Sequence, residues 1–115
     1  MHFAAIAAVL SRSRLEFDGT FSTASASSPV TSATRTISGT GTLLFESLGG
    51  DVLTPQYRKN GGTWTTISDG LTLAMTNGDT LAVRCTLAVV GWASTFSIRN
   101  NQSGALLEDV TLERT

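Results

Sequence analysis

The side chains that could do covalent chemistry are few and lie far apart in this sequence. His2 is the only histidine and Cys85 the only cysteine of the 115 residues. A nucleophile needs a general base within hydrogen-bond reach, and a zinc site normally needs several histidine or cysteine ligands. Cys85 falls on the apolar phase of an alternating run, which predicts a buried and unreactive thiol. We therefore expect no catalytic residues and no enzymatic activity.

The carboxylates show no arrangement that suggests a reaction. Asp51, Asp69 and Asp79 each lie beside a glycine, a pattern typical of turns in which the carboxylate accepts backbone hydrogen bonds. A calcium site shared between loops is the alternative. Glu108 and Asp109 are adjacent, and adjacent strand residues point to opposite faces, so they are not expected to act as an acid–base pair. No metal or other cofactor is expected.

Three aromatic side chains are candidates for contacting a ligand. Tyr57 and Trp64 lie on either side of Asn60-Gly61-Gly62, a sequence that favours a tight hairpin turn with positive φ. Arg58-Lys59 beside these rings could form a cation–π surface. The residues that could contact a glycan are therefore Tyr57, Trp64 and Trp92.

These residues must be positioned by β-strands, because apolar residues recur with period two and no convincing long helix is visible. After the turn Asn77-Gly78-Asp79, every second residue is expected to face the core, namely Leu81, Val83, Cys85 and Leu87. Phe96 and Ile98 on a later strand are expected to face the same core. Turn signals every 8–12 residues predict an all-β fold, an antiparallel immunoglobulin-like β-sandwich of seven to nine short strands. Residues 22–33 are predicted to be a loop or irregular edge, residues 47–51 a turn, and residues 106–108 a bulge.

Charge and composition exclude several classes of protein. Eight basic and nine acidic residues give a net charge of −1, so no basic field exists to bind a nucleic-acid backbone. No segment reaches the roughly 20 apolar residues of a membrane-spanning helix. Only 15% of residues are charged, whereas 18 are Thr and 13 are Ser. Such a surface is typical of a protein that packs among neighbours.

The sequence divides into an N-terminal arm, residues 1–12, and a β-sandwich domain, residues 13–115. The arm carries Phe3, Ile6, Val9 and Leu10. Its positive charges follow the apolar run, whereas those of a signal peptide precede it. We expect the four apolar side chains to bind a partner protein.

Two segments resemble a small β-sandwich module that is common in bacteriophage structural proteins. Such modules often carry a P-x-Y-x-x-N-G-G-x-W hairpin followed by G-D-T/S, a hydrophobic residue, and x-V-R. Here Pro55–Trp64 reads PQYRKNGGTW and Gly78–Arg84 reads GDTLAVR. The resemblance extends from Gly39 to Leu112, about two thirds of the chain.

The resemblance implies a structural role in a virus particle rather than chemistry. We expect a capsid decoration protein, or another small head or tail accessory protein, located in the virion. Its partners would be a major capsid or tail protein and further copies of itself, with no nucleic acid and no membrane. The alternative is a module of a tail fibre or head fibre that binds host-surface glycans.

Overall fold

The computed structural model describes residues 14–115, and this part of the chain is all-β, with eleven strands and no helix. The strands are β1 (Glu16–Phe17), β2 (Thr23–Ser25), β3 (Val30–Thr31), β4 (Arg35–Ser38), β5 (Gly41–Gly50), β6 (Gln56–Lys59), β7 (Thr65–Thr66), β8 (Leu71–Met75), β9 (Thr80–Cys85), β10 (Ala93–Asn100) and β11 (Leu106–Arg114). Residues 14–115 include no helix long and apolar enough to cross a membrane.

The strands form two sheets. One has the order β1-β4-β9-β6-β7, with β3 also paired to β9, and the other has the order β2-β11-β10-β5-β8. The core draws side chains from both sheets, and the ring of Phe45 on β5 stacks on that of Tyr57 on β6 with centroids 6.0 Å apart. The two sheets therefore enclose one hydrophobic core in a sandwich-like arrangement.

The predicted phase of β9 and β10 is confirmed. The six residues expected to face the core are each at most 2% exposed: Leu81, Val83, Cys85, Leu87, Phe96 and Ile98. Period-two alternation identified them because one face of each strand meets the opposite sheet. The bulge expected in residues 106–108 is also confirmed, since Ile98 pairs with Glu108 whereas Arg99 pairs with Leu106.

The structure corrects three other expectations. There are eleven strands rather than seven to nine, because short pairings such as those of β2 and β3 occur within the predicted loop of residues 22–33. The pairing is not wholly antiparallel, since β2 runs parallel to β11. The predicted turn at residues 47–51 is instead the end of β5, where positive φ at Ser47 and Gly50 distorts the strand while Gly50 still pairs with Ser94.

Candidate functional site

An aromatic–guanidinium cluster lies on the outer face of the first sheet. The guanidinium carbon of Arg84 is 4.2 Å from the centroid of the Trp64 ring, and that of Arg58 is 4.7 Å from it. Both distances are within the range of a cation–π contact. Gln56 Oε1 accepts a hydrogen bond of 2.8 Å from Arg84 Nε, which fixes the orientation of that guanidinium. We call Gln56, Arg58, Trp64 and Arg84 the Trp64 cluster.

The β6–β7 hairpin positions Trp64 over this face. Asn60 and Gly61 have φ values of 51° and 69°, which confirms the predicted positive φ in the turn. Asparagine and glycine tolerate this left-handed region better than other residues do. The chain then returns so that Tyr57 pairs with Thr65, immediately after Trp64.

Burial of Ala82 shows how closely this outer face is covered. Ala82 alternates with Leu81 and Val83, so its phase points away from the core, yet it is only 2% exposed. It pairs directly with Arg58 on β6 and lies two residues before Arg84. Arg58 and Arg84, its neighbours on this face, are themselves only partly exposed, so the cluster is packed on the sheet rather than extended into solvent.

The structure does not bring the three predicted glycan-contact residues together. Tyr57 pairs with Val83, and its ring packs against Phe45 of the core. Trp92 is half-buried against the core before β10. Trp64 alone of the three belongs to the outer-face cluster, so the predicted surface is divided among three environments.

Polar side chains connect the hairpin turn to the turn before β9. Asn60 Oδ1 accepts a hydrogen bond of 2.8 Å from Thr80 N, and Asn60 Nδ2 donates one of 3.1 Å to Asp79 Oδ1. Lys59 Nζ lies 3.5 Å from Asp79 Oδ2. The hydrogen bond from Thr76 N has the largest effect in holding the pKa of Asp79 below its ordinary value of 3.8, and the hydrogen bond from Asn60 Nδ2 and the charge of Lys59 lower it further.

The other two turn carboxylates also accept backbone hydrogen bonds. Asp69 Oδ1 accepts from Ser47 N at 2.9 Å, and Asp51 Oδ2 accepts from Ala93 N at 3.0 Å. The turn interpretation of these aspartates is confirmed. Across residues 14–115, no three histidine, cysteine or acidic side chains come together as metal ligands.

A groove lies at the end of the molecule where the described chain begins. Its volume is about 670 Å³, and it runs between β1 and the start of β11. Arg14 and Phe17 line one side, and Leu106 and Leu107 line the other. Leu106 is 46% exposed. We call this feature the edge groove, because β11 has a second strand neighbour only from Leu112 onward.

Glu108 closes one wall of the edge groove. Its Oε1 accepts a hydrogen bond of 2.8 Å from Phe21 N, and its Oε2 accepts hydrogen bonds of 2.9 Å from Ser22 N and Ser22 Oγ. Asp109 points elsewhere, since its Oδ1 accepts a hydrogen bond of 2.7 Å from Ser97 Oγ. The adjacent carboxylates therefore bind different partners, as the opposite-face interpretation predicted.

The remaining candidates from the sequence are the Cys85 thiol and the apolar side chains of the arm. Cys85 is 1% exposed, and burial raises the pKa of its thiol, so the thiolate is disfavoured. The predicted partner-binding side chains Phe3, Ile6, Val9 and Leu10, like His2, lie outside the described residues.

Sequence reasoning missed Arg84 and Gln56 as members of the Trp64 cluster. A signal was present, because Arg84 alternates with Val83 and Cys85 and must therefore lie on the outer face. What could not be read from the sequence is the cross-strand pairing of Gln56 with Arg84, which makes them neighbours.

Comparison of the chain with protein-family models, with curated proteins and with solved structures finds no match.

Proposed function

We propose that this protein is a non-enzymatic structural component of a bacteriophage particle, with an immunoglobulin-like β-sandwich fold. It serves as a capsid decoration protein or another small head or tail accessory protein that acts through protein–protein contacts. Its partners are the major capsid or tail protein and further copies of itself.

The observation that carries this proposal is the connection between the two motif segments. Asn60 of the N-G-G turn bonds both Asp79 and Thr80 of the G-D-T segment, although about 20 residues separate them. Strands β6 and β9, which contain the rest of the two motifs, are direct neighbours. The residues that produce the resemblance thus form one structural unit, which supports a common module rather than two chance matches.

The edge groove supports attachment at the N-terminal end. Arg14, the first described residue, lines this groove together with the exposed Leu106. The four apolar residues of the arm precede it in the sequence, and burying each fully would contribute roughly 1.5–3 kcal/mol. An apolar segment that is joined in sequence to the lining of this groove is suited to binding a neighbouring subunit.

The geometry favours assembly over glycan binding. Sugar recognition by the predicted set would need Tyr57, Trp64 and Trp92 on one surface, and they lie in three places. The buried Cys85 and the carboxylates engaged in turns favour a structural protein over an enzyme.

Mass spectrometry of purified particles tests the location. We expect the protein to copurify with particles in a fixed ratio to the major capsid or tail protein. Its absence from particles, while it accumulates in the infected cell, would refute the virion assignment.

Deletion of residues 1–12 tests the attachment. The truncated protein should remain folded and monomeric but should no longer enter particles. Two full-length variants separate the effect of the apolar side chains from that of the length of the arm. One replaces Phe3, Ile6, Val9 and Leu10 with Ser, and the matched control replaces Ala4, Ala5, Ala7 and Ala8 with Ser. Only the first set should abolish incorporation. Unfolding of the truncated protein would place the arm in the domain core, and normal assembly would exclude the arm as the attachment device.

A further inference from the structure

The Trp64 cluster holds two positive charges that the chain does not neutralise. Residues 14–115 form three ion pairs, which are Arg14–Glu16, Lys59–Asp79 and Arg99–Glu46. Neither Arg58 nor Arg84 takes part in any of them. All nine acidic residues lie between positions 16 and 113, so residues 1–13 cannot supply a carboxylate side chain either. Two half-buried guanidinium groups thus share one indole ring without a counter-charge.

The hydrogen-bonding capacity of these arginines is also largely unused. Arg84 donates from Nε to Gln56 Oε1, which leaves its two terminal nitrogens free of partners within the described chain. The side chain of Arg58 has no hydrogen-bond partner among the residues that the structure describes. A guanidinium stacked on an aromatic ring keeps its planar N–H edge available, and that edge matches a carboxylate in a bidentate pair.

The cluster holds these side chains in place before any ligand binds. Arg84 is fixed both by Trp64, at 4.2 Å, and by Gln56. Long arginine side chains lose rotamer entropy when a ligand orders them, and a side chain that is already ordered loses less. The arrangement therefore lowers the entropy cost of binding an anion at this half-buried position.

From these contacts we propose that Arg58 and Arg84, held by Trp64, form a docking site for the carboxylates of an acidic segment on a partner protein. The charge complementarity is direct, since Asp and Glu side chains present the bidentate acceptor that the guanidinium edges fit. This proposal depends neither on the virion assignment nor on the role of residues 1–12.

The shape of the surface favours a peptide over a small molecule or a sugar. The cluster lies on a sheet face beside the exposed Thr65 and Thr66 of β7, whereas sites for small ligands are concave. The Trp64 ring is already engaged by two guanidinium groups, and Tyr57 faces the core. Among residues 14–115, no second aromatic ring joins the cluster to stack on a sugar, so the chemistry that this part of the chain offers is charge pairing.

Titration of the full chain with a hexaglutamate peptide tests the proposal, with hexaglutamine as the neutral control. Trp92→Phe leaves Trp64 as the only tryptophan, so its fluorescence reports on the cluster, and calorimetry supplies the affinity. We expect saturable binding of hexaglutamate alone, weakened by added salt because the contact is ionic. Arg58→Gln and Arg84→Gln should each weaken binding about tenfold, as for loss of a charged hydrogen bond.

Two further variants separate the contribution of the bidentate guanidinium edge from that of the positive charge. Arg84→Lys keeps the positive charge but loses the bidentate edge, and it should also weaken binding clearly. Arg35→Gln removes a charge whose Nε is bonded to Thr20 O away from the cluster, and it should leave the affinity unchanged within about twofold. Urea denaturation of each variant checks that it is folded.

Several results would overturn the proposal. Equal binding of hexaglutamate and hexaglutamine, or no binding of either, would remove the carboxylate site. Binding retained by the folded Arg58→Gln/Arg84→Gln double variant would place the contact elsewhere, and an Arg84→Lys variant as tight as the parent would reduce it to general charge attraction. Tighter binding of a glucuronate oligosaccharide than of hexaglutamate would replace the peptide with a sugar ligand.

Discussion

Glu108 is expected to stabilise the fold more than any other exposed or half-exposed carboxylate of β11. It receives the N–H groups of Phe21 and Ser22 and the hydroxyl of Ser22 just before β2 joins β11 in parallel. Phe21 itself is fully buried, and its ring meets that of Phe17 edge-on at 4.8 Å. Glu108 thus fixes the chain where it passes from the first sheet to the second.

Replacing Glu108 with alanine removes the acceptor of all three donors. A hydrogen bond to a charged group contributes about 1.5–3 kcal/mol to stability. Water can replace the acceptor at the exposed Ser22, so most of the loss comes from the part-buried Phe21 N–H. We therefore expect Glu108→Ala to lower the free energy of unfolding by about 1.5–2 kcal/mol, the lower part of that range.

Urea denaturation at neutral pH, followed by tryptophan fluorescence, measures this loss. The matched control is Glu113→Ala, because Glu113 lies on the same strand, is exposed, and its side chain has no hydrogen bond or ion pair within residues 14–115. Glu113→Ala should change stability by no more than about 0.5 kcal/mol. Glu108→Gln, which keeps one carbonyl acceptor, should fall between the two. If Glu108→Ala is as stable as Glu113→Ala, the hydrogen bonds of Glu108 do not hold β2 in place.

Three further perturbations test the core, the hairpin turn and the turn before β9. Val83→Ala removes two methyl groups from a fully buried position and should cost about 1–3 kcal/mol in urea denaturation; an unchanged midpoint would contradict the packing. Gly61→Val should lower the melting temperature, because a β-branched residue is strained at a φ of 69°, whereas Gly61→Asn should be tolerated; equal melting temperatures would contradict the backbone origin of the effect. Asp79 has a lowered pKa in the folded state, so its contribution is complete above its ordinary value of 3.8 and is lost as the pH falls through the lowered value. The stability difference between the wild type and Asp79→Asn should therefore shrink on acidification, and a constant difference down to about pH 2 would contradict the role of the ionised carboxylate.

The accuracy of the sequence predictions follows the strength of the local signal. Alternation identified the buried face of β9, because every second residue of the strand points to the same face and the opposite sheet covers that face. The Asn60-Gly61 turn was predictable since positive φ strongly selects these two residue types. At Gly49-Gly50 the same reasoning failed. The glycines there do not end the strand: a side chain on Gly50 would overlap the Ala93 carbonyl, so glycine permits a close approach of β10.

The Trp64 cluster shows the same limit at the candidate site. Sequence proximity placed Tyr57 and Trp64 on one predicted surface, but strand phase turns Tyr57 toward Phe45 and leaves Trp64 outside. Arg84, 20 positions after Trp64, reaches the indole because β9 pairs with β6. Its outer-face phase was readable, whereas its partner was not.

By itself the sequence determined the all-β class, the core phase of β9 and β10, the burial of Cys85 and the hairpin turn at Asn60-Gly61. These features depend on residue type and on spacing of a few positions, which act locally along the chain. The tertiary structure alone decided which strands pair, that β2 joins β11 in parallel, and that Glu108 bonds Phe21 across 87 positions. The edge groove and the Trp64 cluster also arise only there, because their members are brought together by strand pairing between distant segments, which no local pattern specifies.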